Sequence, residues 1–461
     1  MPPPTATDAP ATDEPDTAEG SLEARPDPAA AAFRSLVPML ALLGLVIRVT
    51  YAVVWRFDKG LKYDGPIYRS RAMMLNIGRG VIDPDWWNFH NTAAQGAIHP
   101  PGNMLLLAAG QKLGLGTDHK WQLMGCVLGT ITIVLVAYAG RAIAGPRVGL
   151  IAAAIATVHP GFWSFDPTVM AETPGQLFTA LTLLLAYRFW DRPTPARAGW
   201  MAGAAALAAL TRSELLVMVP LLVLPLCLAS RGTPRQVMAR LGAATLWAVA
   251  VLGPWVGWNM VRFEHPVTMA TGLDISLAYA QCDDTWYGPH TGYWNVFCGA
   301  DVPDRPKNTF ADESELGLQY RAIAGSYISA HRTRWPLVVG ARVGRTLSLY
   351  RPVQQIHLES AREGREAPVL WGGLLFTFTT VVLAAVAFAR PPTSRRRLLP
   401  LLVPLLAGTA GAAITFGTTR YRSAGEVGLT LLAAVGIDAL LRLRSQRRLA
   451  ATTTLSPTPS Q

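Results

Sequence analysis

Residues 36–55 read LVPMLALLGLVIRVTYAVVW. This apolar run is about 20 residues long, the length an α-helix needs to cross the hydrocarbon core of a bilayer. Arg48 is its only charge. The polar stretch before it is too long for a secretory signal, and no small-residue cleavage site follows, so the run reads as a signal anchor. Further runs of similar character cover Lys120 to Tyr138, Val148 to Trp163, Gly175 to Phe189, Trp200 to Leu210, Leu215 to Ala229 and Leu241 to Trp258. After a long polar stretch come Val369 to Phe388, Leu398 to Phe416 and Val427 to Leu441. The expected fold is therefore an all-α polytopic membrane protein with about ten spans.

Composition agrees. The 461 residues are 51% hydrophobic and only 15% charged, with a mean hydropathy of +0.26, leaving too little polar surface for an ordinary soluble protein. The 41 Lys and Arg against 30 Asp and Glu cluster between apolar runs rather than along one face, a topological pattern and not a nucleic-acid footprint. No P-loop, HExxH, CxxC or Asn-x-Ser/Thr motif occurs, so ATP-driven and zinc-hydrolase readings lose their usual support.

A cytoplasmic N-terminus obeys the positive-inside bias. It puts Arg141/Arg147, Arg188/Arg192/Arg197, Arg231/Arg235/Arg240 and Arg390/Arg395/Arg396/Arg397 in cytoplasmic loops, with Arg442, Arg444, Arg447 and Arg448 in the tail. That assignment requires His99 to Gly114, opened by Pro100 and Pro101, to be an interfacial or re-entrant helix. The expected divisions are a disordered cytoplasmic tail over 1–33, a transmembrane body over 34–443 with outer loops 56–119 and 259–368, and a basic cytoplasmic tail over 444–461. Cys282 and Cys298 fall in the second outer loop, where an oxidising compartment makes a disulfide plausible. Closing such a loop contributes about 3 kcal/mol on the chain-entropy account. Cys126 and Cys227 lie in apolar runs and read as packing residues.

Ionisable residues near membrane depth are costly and therefore informative. Each has a structural and a functional reading. Asp64, in YDGPIY (63–68), is a turn or cap aspartate or else a general base, with Asp83 and Asp85 nearby as competitors. His99, in AIHPPG, caps a helix or meets an anion at its N-terminus. Glu172, in FDPTVMAETPG, caps a helix or faces the same cavity as Asp64. Arg212, in LTRSELL, pairs with Glu214 or reaches a phosphate, and Arg420 and Arg422, in TTRYRSAGE, bind an anion or join a structural ion-pair network.

Taken in order, YDGPIY, HPPG, MAETPG, LTRSE, PWVGWNMVRFEHPV and RYR resemble the polytopic GT-C glycosyltransferases, specifically the protein O-mannosyltransferases and the lipid A aminoarabinose transferase. The resemblance runs from about Leu36 to Leu443. It implies a GT-C-like helical module with juxtamembrane helices in the outer loops, and an inverting transfer of a hexosyl or pentosyl sugar from a polyprenyl-phosphate carrier to a hydroxyl of a cell-envelope glycan, lipid or protein on the extracytoplasmic face. It further implies Asp64 as general base, with Glu172 matching the acid often found on the second outer loop as the other catalytic candidate; because charge builds on the departing phosphate, His99, Arg212, Arg420 and Arg422 are the candidate donor-phosphate ligands. His99 stands where the aminoarabinose transferase carries lysine, and the outer β-domain of the protein mannosyltransferases is missing. The expected partners are the donor, the acceptor and membrane lipids, without nucleic acid. Two acids beside a phosphate leave Mg or Mn as a candidate cofactor without defining a metal site. A lipid or glycan transporter or flippase is the rival function; it predicts mid-membrane charges and paired halves, and no such repeat is visible.

Overall fold

The computed structural model describes residues 28–299, 312–391 and 394–453. Residues 1–27 of the expected N-terminal tail and 454–461 of the basic tail lie outside them. The first helix, α1 (Pro28–Tyr51), already begins within the stretch expected to be disordered, because Phe33 and Val37 pack into the core. α1 leads through a π turn and a 3₁₀ turn to α2 (Gly65–Asn76), α3 (Pro84–His90) and α4 (Gly102–Lys112). Asp83 caps α3 by accepting from Asp85 N and Trp86 N. With 11 residues, α4 is too short to cross a membrane, as the loop charges require.

α5 (Asp118–Ala144), α6 (Pro146–Val158), α7 (Pro160–Trp163), α8 (Glu172–Asp191) and α9 (Pro195–Thr211) follow. The apolar stretch Ser213–Leu228 is not one helix but a 3₁₀ turn, a π stretch and the short α10 (Leu224–Leu228), since Pro220 and Pro225 withhold two backbone donors. α11 (Pro234–Arg262) leads into α12 (Gly272–Ala278), α13 (Asp283–Trp286), α14 (Glu313–Ala330), α15 (Trp335–Thr346) and α16 (Pro352–Glu363). The chain then returns through α17 (Ala367–Ala389), α18 (Val403–Ile414) and α19 (Ser423–Thr453). Among the described residues the β pairing consists of a single bridge, Ile82 to Gln95.

All ten expected runs fall within these helical stretches, but among the described residues only six helices are long and apolar enough to cross a membrane, or seven when α6 and the segment Pro160–Thr168, bent by 60°, count as one span. α8 and α9 fall short for a physical reason. They are enclosed by α5, α11 and each other and bury Gln176, Thr179, Thr182 and a run of alanines, so most of their surface meets protein rather than lipid.

One buried ion pair ties three of these elements together. Arg48 Nε on α1 lies 2.7 Å from Asp166 Oδ2, both side chains fully buried, and Thr173 at the start of α8 donates to Asp166 Oδ1 at 2.8 Å. α5 can pass because residue 129 is glycine: a Cβ there would sit 2.1 Å from Asp166 Oδ2. The pair fixes the Phe165–Glu172 turn against α1 and α5, and that turn delivers Glu172. Asp166→Ala leaves Arg48 buried without its counter-charge, so we expect a loss of about 3–5 kcal/mol, seen as a lower thermal midpoint of the detergent-solubilised protein; an unchanged midpoint would show the pair to be dispensable.

Candidate functional site

Asp64 sits at the N-cap of α2, yet its side chain makes no capping bond. The carboxylate instead accepts from Arg420 Nη2 at 2.7 Å. Preceding it, Tyr63 takes the left-handed conformation, φ +58°, which is uncommon and strained for an aromatic residue. Arg420 lies over the Tyr63 ring, 4.4 Å from its centroid. A Cβ on Gly65 would come within 2.9 Å of Thr168 O, so glycine lets the head of α2 press against the turn before α8.

Arg420 occupies the 3₁₀ turn Thr419–Arg422 leading into α19. Its Nε donates to Glu172 Oε1 at 2.6 Å. Arg212, in extended backbone where α9 ends, donates to the same Glu172 oxygen through Nη1 and to Glu214 through Nε at 2.6 Å. Glu172 is fully buried. It thus holds two guanidinium groups from distant parts of the chain side by side. Among the described residues no hydrogen bond engages Arg212 Nη2 or Arg420 Nη1, and guanidinium N–H donors suit phosphate oxygens.

These groups border a cavity of about 580 Å³ whose wall includes Asp64, His99, Arg212 and Arg420, with Tyr279 and Trp294 farther along. His99 Nε2 is 3.8 Å from Asp64 Oδ1, and its ring stacks on Tyr68 at 4.7 Å. Burial pushes the His99 imidazole below the usual histidine range, and Arg71 and Arg420 act in the same direction against Asp64 and Glu313. At neutral pH the ring is therefore uncharged, with one ring nitrogen a hydrogen-bond donor and the other an acceptor.

Two sequence-derived assignments are corrected. Glu172 does not border the cavity; it lies behind the wall and positions Arg212 and Arg420. Arg422, two residues beyond Arg420, points the other way, to Glu426 at 2.6 Å and to Thr346 O and Ser348 Oγ at 2.8 and 2.9 Å. Cys282 and Cys298 are bonded, Cα to Cα 5.3 Å, while Cys126 and Cys227 are free and buried.

The sequence reading missed α16. Its Glu359 accepts from Thr418 Oγ1, Thr419 N and Thr419 Oγ1 at 3.1, 2.9 and 2.6 Å, clamping the turn that carries Arg420. Glu363 comes within 4.0 Å of Arg420 Nε and accepts from Arg365 Nε at 2.8 Å. In the sequence AREGREAP the acids and bases alternate like a solvated helix face, and nothing local announces that they are buried. Among the described residues no group of three or more His, Cys, Asp or Glu side chains is arranged to hold a metal ion. Asp64 and Glu172 both turn to Arg420 rather than toward one another.

The sequence profile of the dolichyl-phosphate-mannose-protein mannosyltransferase family matches residues 98–258, about a third of the chain, from the residue before His99 through Glu172 and Arg212 into the last turns of α11. The solved oligosaccharyltransferase of Archaeoglobus fulgidus, in its apo form, is similar in fold at a TM-score of 0.52 and 13% identity, over 92% of this chain and 53% of that one. The same enzyme tethered to an acceptor peptide gives 0.52 and 13%, over 94% and 53%. The chain thus spans about half the length of these solved structures. ArnT from Cupriavidus metallidurans bound to undecaprenyl phosphate matches at a TM-score of 0.42 and 13% identity, over 94% of this chain and 82% of that one, too remote to carry an argument. No curated protein matches. The fold defines a polytopic, nearly all-helical membrane protein similar in architecture to this oligosaccharyltransferase. Within that class, the chain resembles the dolichyl-phosphate-mannose-protein mannosyltransferases.

Burial pushes the Glu363 carboxyl up from 4.5 to about 7, with Glu359 and Glu172 adding to the effect and Arg365 and Arg420 opposing it. The folded protein therefore holds a proton that the unfolded chain has released. Stability from this group is intact below pH 4.5 and is lost as pH rises to about 7. Glu363→Gln should flatten the fall in thermal midpoint between pH 5 and 8 and raise the midpoint at pH 8; a variant that keeps the wild-type slope would show that Glu363 is not its source.

Proposed function

We propose that the protein is an inverting glycosyltransferase that moves a sugar from a polyprenyl-phosphate carrier to a hydroxyl-bearing acceptor. The observation carrying this reading is the pairing of a cavity-wall carboxylate, Asp64, with the neighbouring guanidinium groups of Arg420 and Arg212, each with N–H groups left over. A donor of the kind named in the matched family's description, a lipid-linked sugar phosphate, has its reactive carbon next to an anionic group. A single site for it needs cations on one side and a base on the other.

Chemistry explains why one carboxylate suffices. The departing lipid phosphate is a weak base and leaves without a proton, unlike the alkoxide of glycoside hydrolysis, which calls for a second, protonated carboxyl. Asp64 accepts the proton of the acceptor hydroxyl, the acceptor oxygen bonds to C1 from the face opposite the phosphate, and the C1–O bond to the phosphate breaks. The carrier leaves as a phosphate monoester with one more negative charge, and the configuration at C1 inverts. Arg212 and Arg420 stabilise that growing charge, an electrostatic contribution larger than the proton transfer. Their alignment by Glu172 means little reorganisation is needed as the charge develops.

Orientation follows from the same ends of the bundle. Asp64, Glu172, Arg212 and Arg420 lie where α1 and α9 end and α8 and α19 begin, whereas the basic loops meet at the opposite end. There Arg397 donates to Ala142 O at 3.3 Å and pairs with Asp191, and Arg147 lies 3.3 Å from Asp438. With the basic end in the cytoplasm, both termini are cytoplasmic and the site faces outward. The acceptor class at this level is a cell-envelope glycan, lipid or protein.

Asp64→Asn keeps the shape of the side chain and removes the base. We expect carrier-phosphate release from polyprenyl-phosphate mannose or arabinofuranose to fall by at least about 10²–10⁴-fold, with donor binding retained. Turnover at the wild-type rate would refute the role of Asp64, and no release from any carrier-linked sugar by the native protein would refute the transferase reading.

A further inference from the structure

Beyond Asp64 the cavity wall turns aromatic. Tyr63 meets Trp294 edge-on at 5.7 Å, Trp294 lies nearly parallel to Tyr279, 21° at 6.4 Å, and Phe416 closes the row at 5.9 Å from Trp294; all four border the cavity. The rings begin at Tyr63, beside the proposed base and beneath Arg420, and run to Phe416. An acceptor that presents its hydroxyl to Asp64 from within the cavity meets them.

Trp294 belongs to the loop closed by the Cys282–Cys298 disulfide, and this loop is braced on every side. Asn295 N donates to Tyr279 O at 2.9 Å, and Asn295 Nδ2 and His290 Nδ1 both lie within 2.8 Å of Asp284 Oδ2. Arg345 Nε donates to Thr291 O at 2.8 Å. Gly417 N donates to Gly292 O at 2.8 Å, which joins the loop directly to the turn carrying Arg420. Arg362 lies over the Trp294 ring, 4.1 Å from its centroid. A tryptophan held this firmly, and only partly covered, presents a preformed flat surface.

We propose that this row is an acceptor subsite for carbohydrate, with Trp294 as its stacking platform and the Cys282–Cys298 loop as its mount. The proposal rests on the transferase reading. Flat aromatic faces suit the C–H face of a sugar ring, whose partial positive charge meets the negative π surface. Tyr279 and the Ser276 hydroxyl at the same cavity provide polar partners for sugar hydroxyls. An alkyl chain has no use for these groups. One mode of peptide uptake, along a free strand edge, is absent from this cavity among the described residues.

The test uses the full-length protein in lipid nanodiscs free of glycosidic detergent, with octyl α-mannopyranoside, 1-octanol and a Ser/Thr-rich peptide as probes. Binding is followed by calorimetry and transfer by carrier-phosphate release from polyprenyl-phosphate mannose. Octyl mannoside should bind, whereas octanol and the peptide should not. Trp294→Ala should weaken mannoside binding about tenfold and raise the mannoside KM by more than it lowers kcat; Trp294→Phe should recover most of the loss. Phe297→Ala, 78% exposed on the same loop, controls for damage to the loop and should match the native protein. Equal binding by native and Trp294→Ala proteins, or binding of octanol or peptide as tight as that of the glycoside, overturns the subsite. Glycoside binding that depends on Trp294 without any carrier release supports the subsite and counts against the transferase reading instead.

Discussion

The site depends on one buried guanidinium. Arg420 binds Glu172 and Asp64, and Glu172 in turn binds Arg212, so four charges from residues 64 to 420 form one connected group. A buried charge is tolerated only when paired and hydrogen-bonded, and here every member faces an opposite charge. The same bonds that make the group stable also fix the distance between the proposed base and the phosphate-binding cations. Removing one member leaves another uncompensated, which makes the group a structural keystone as well as the proposed reaction centre.

The surrounding protein is arranged to keep Arg420 in place. Glu359 clamps the turn through three hydrogen bonds. Gly292 O ties it to the disulfide-closed loop, and α18 passes close because a Cβ at Gly408 would meet Tyr421 O at 1.8 Å. Behind Glu172, the Arg48–Asp166 pair fixes the preceding turn. The two ion-pair systems are linked through the Phe165–Glu172 segment, so the helical body and the cavity end of the bundle share one mechanical frame. Arg422 shows how local this control is: two residues beyond Arg420, it is committed to Glu426 and takes no part in the cavity.

Sequence alone determined the class of molecule, because hydrophobic run length and the sign of the loop charges act through the bilayer and need no knowledge of partners. It also marked Asp64, His99, Arg212 and Arg420, since an ionisable group beside an apolar run is conspicuous wherever it ends up. Tertiary structure decided which of these meet. It moved Glu172 behind the wall, turned Arg422 away, and drew Glu359, Glu363 and Trp294 in from a loop whose sequence looks solvated. It also separated the helices that face lipid from α8 and α9, which face protein. The reason is that direction and burial of a side chain are properties of packing between elements far apart in the chain, and neither is written in the residues that flank it.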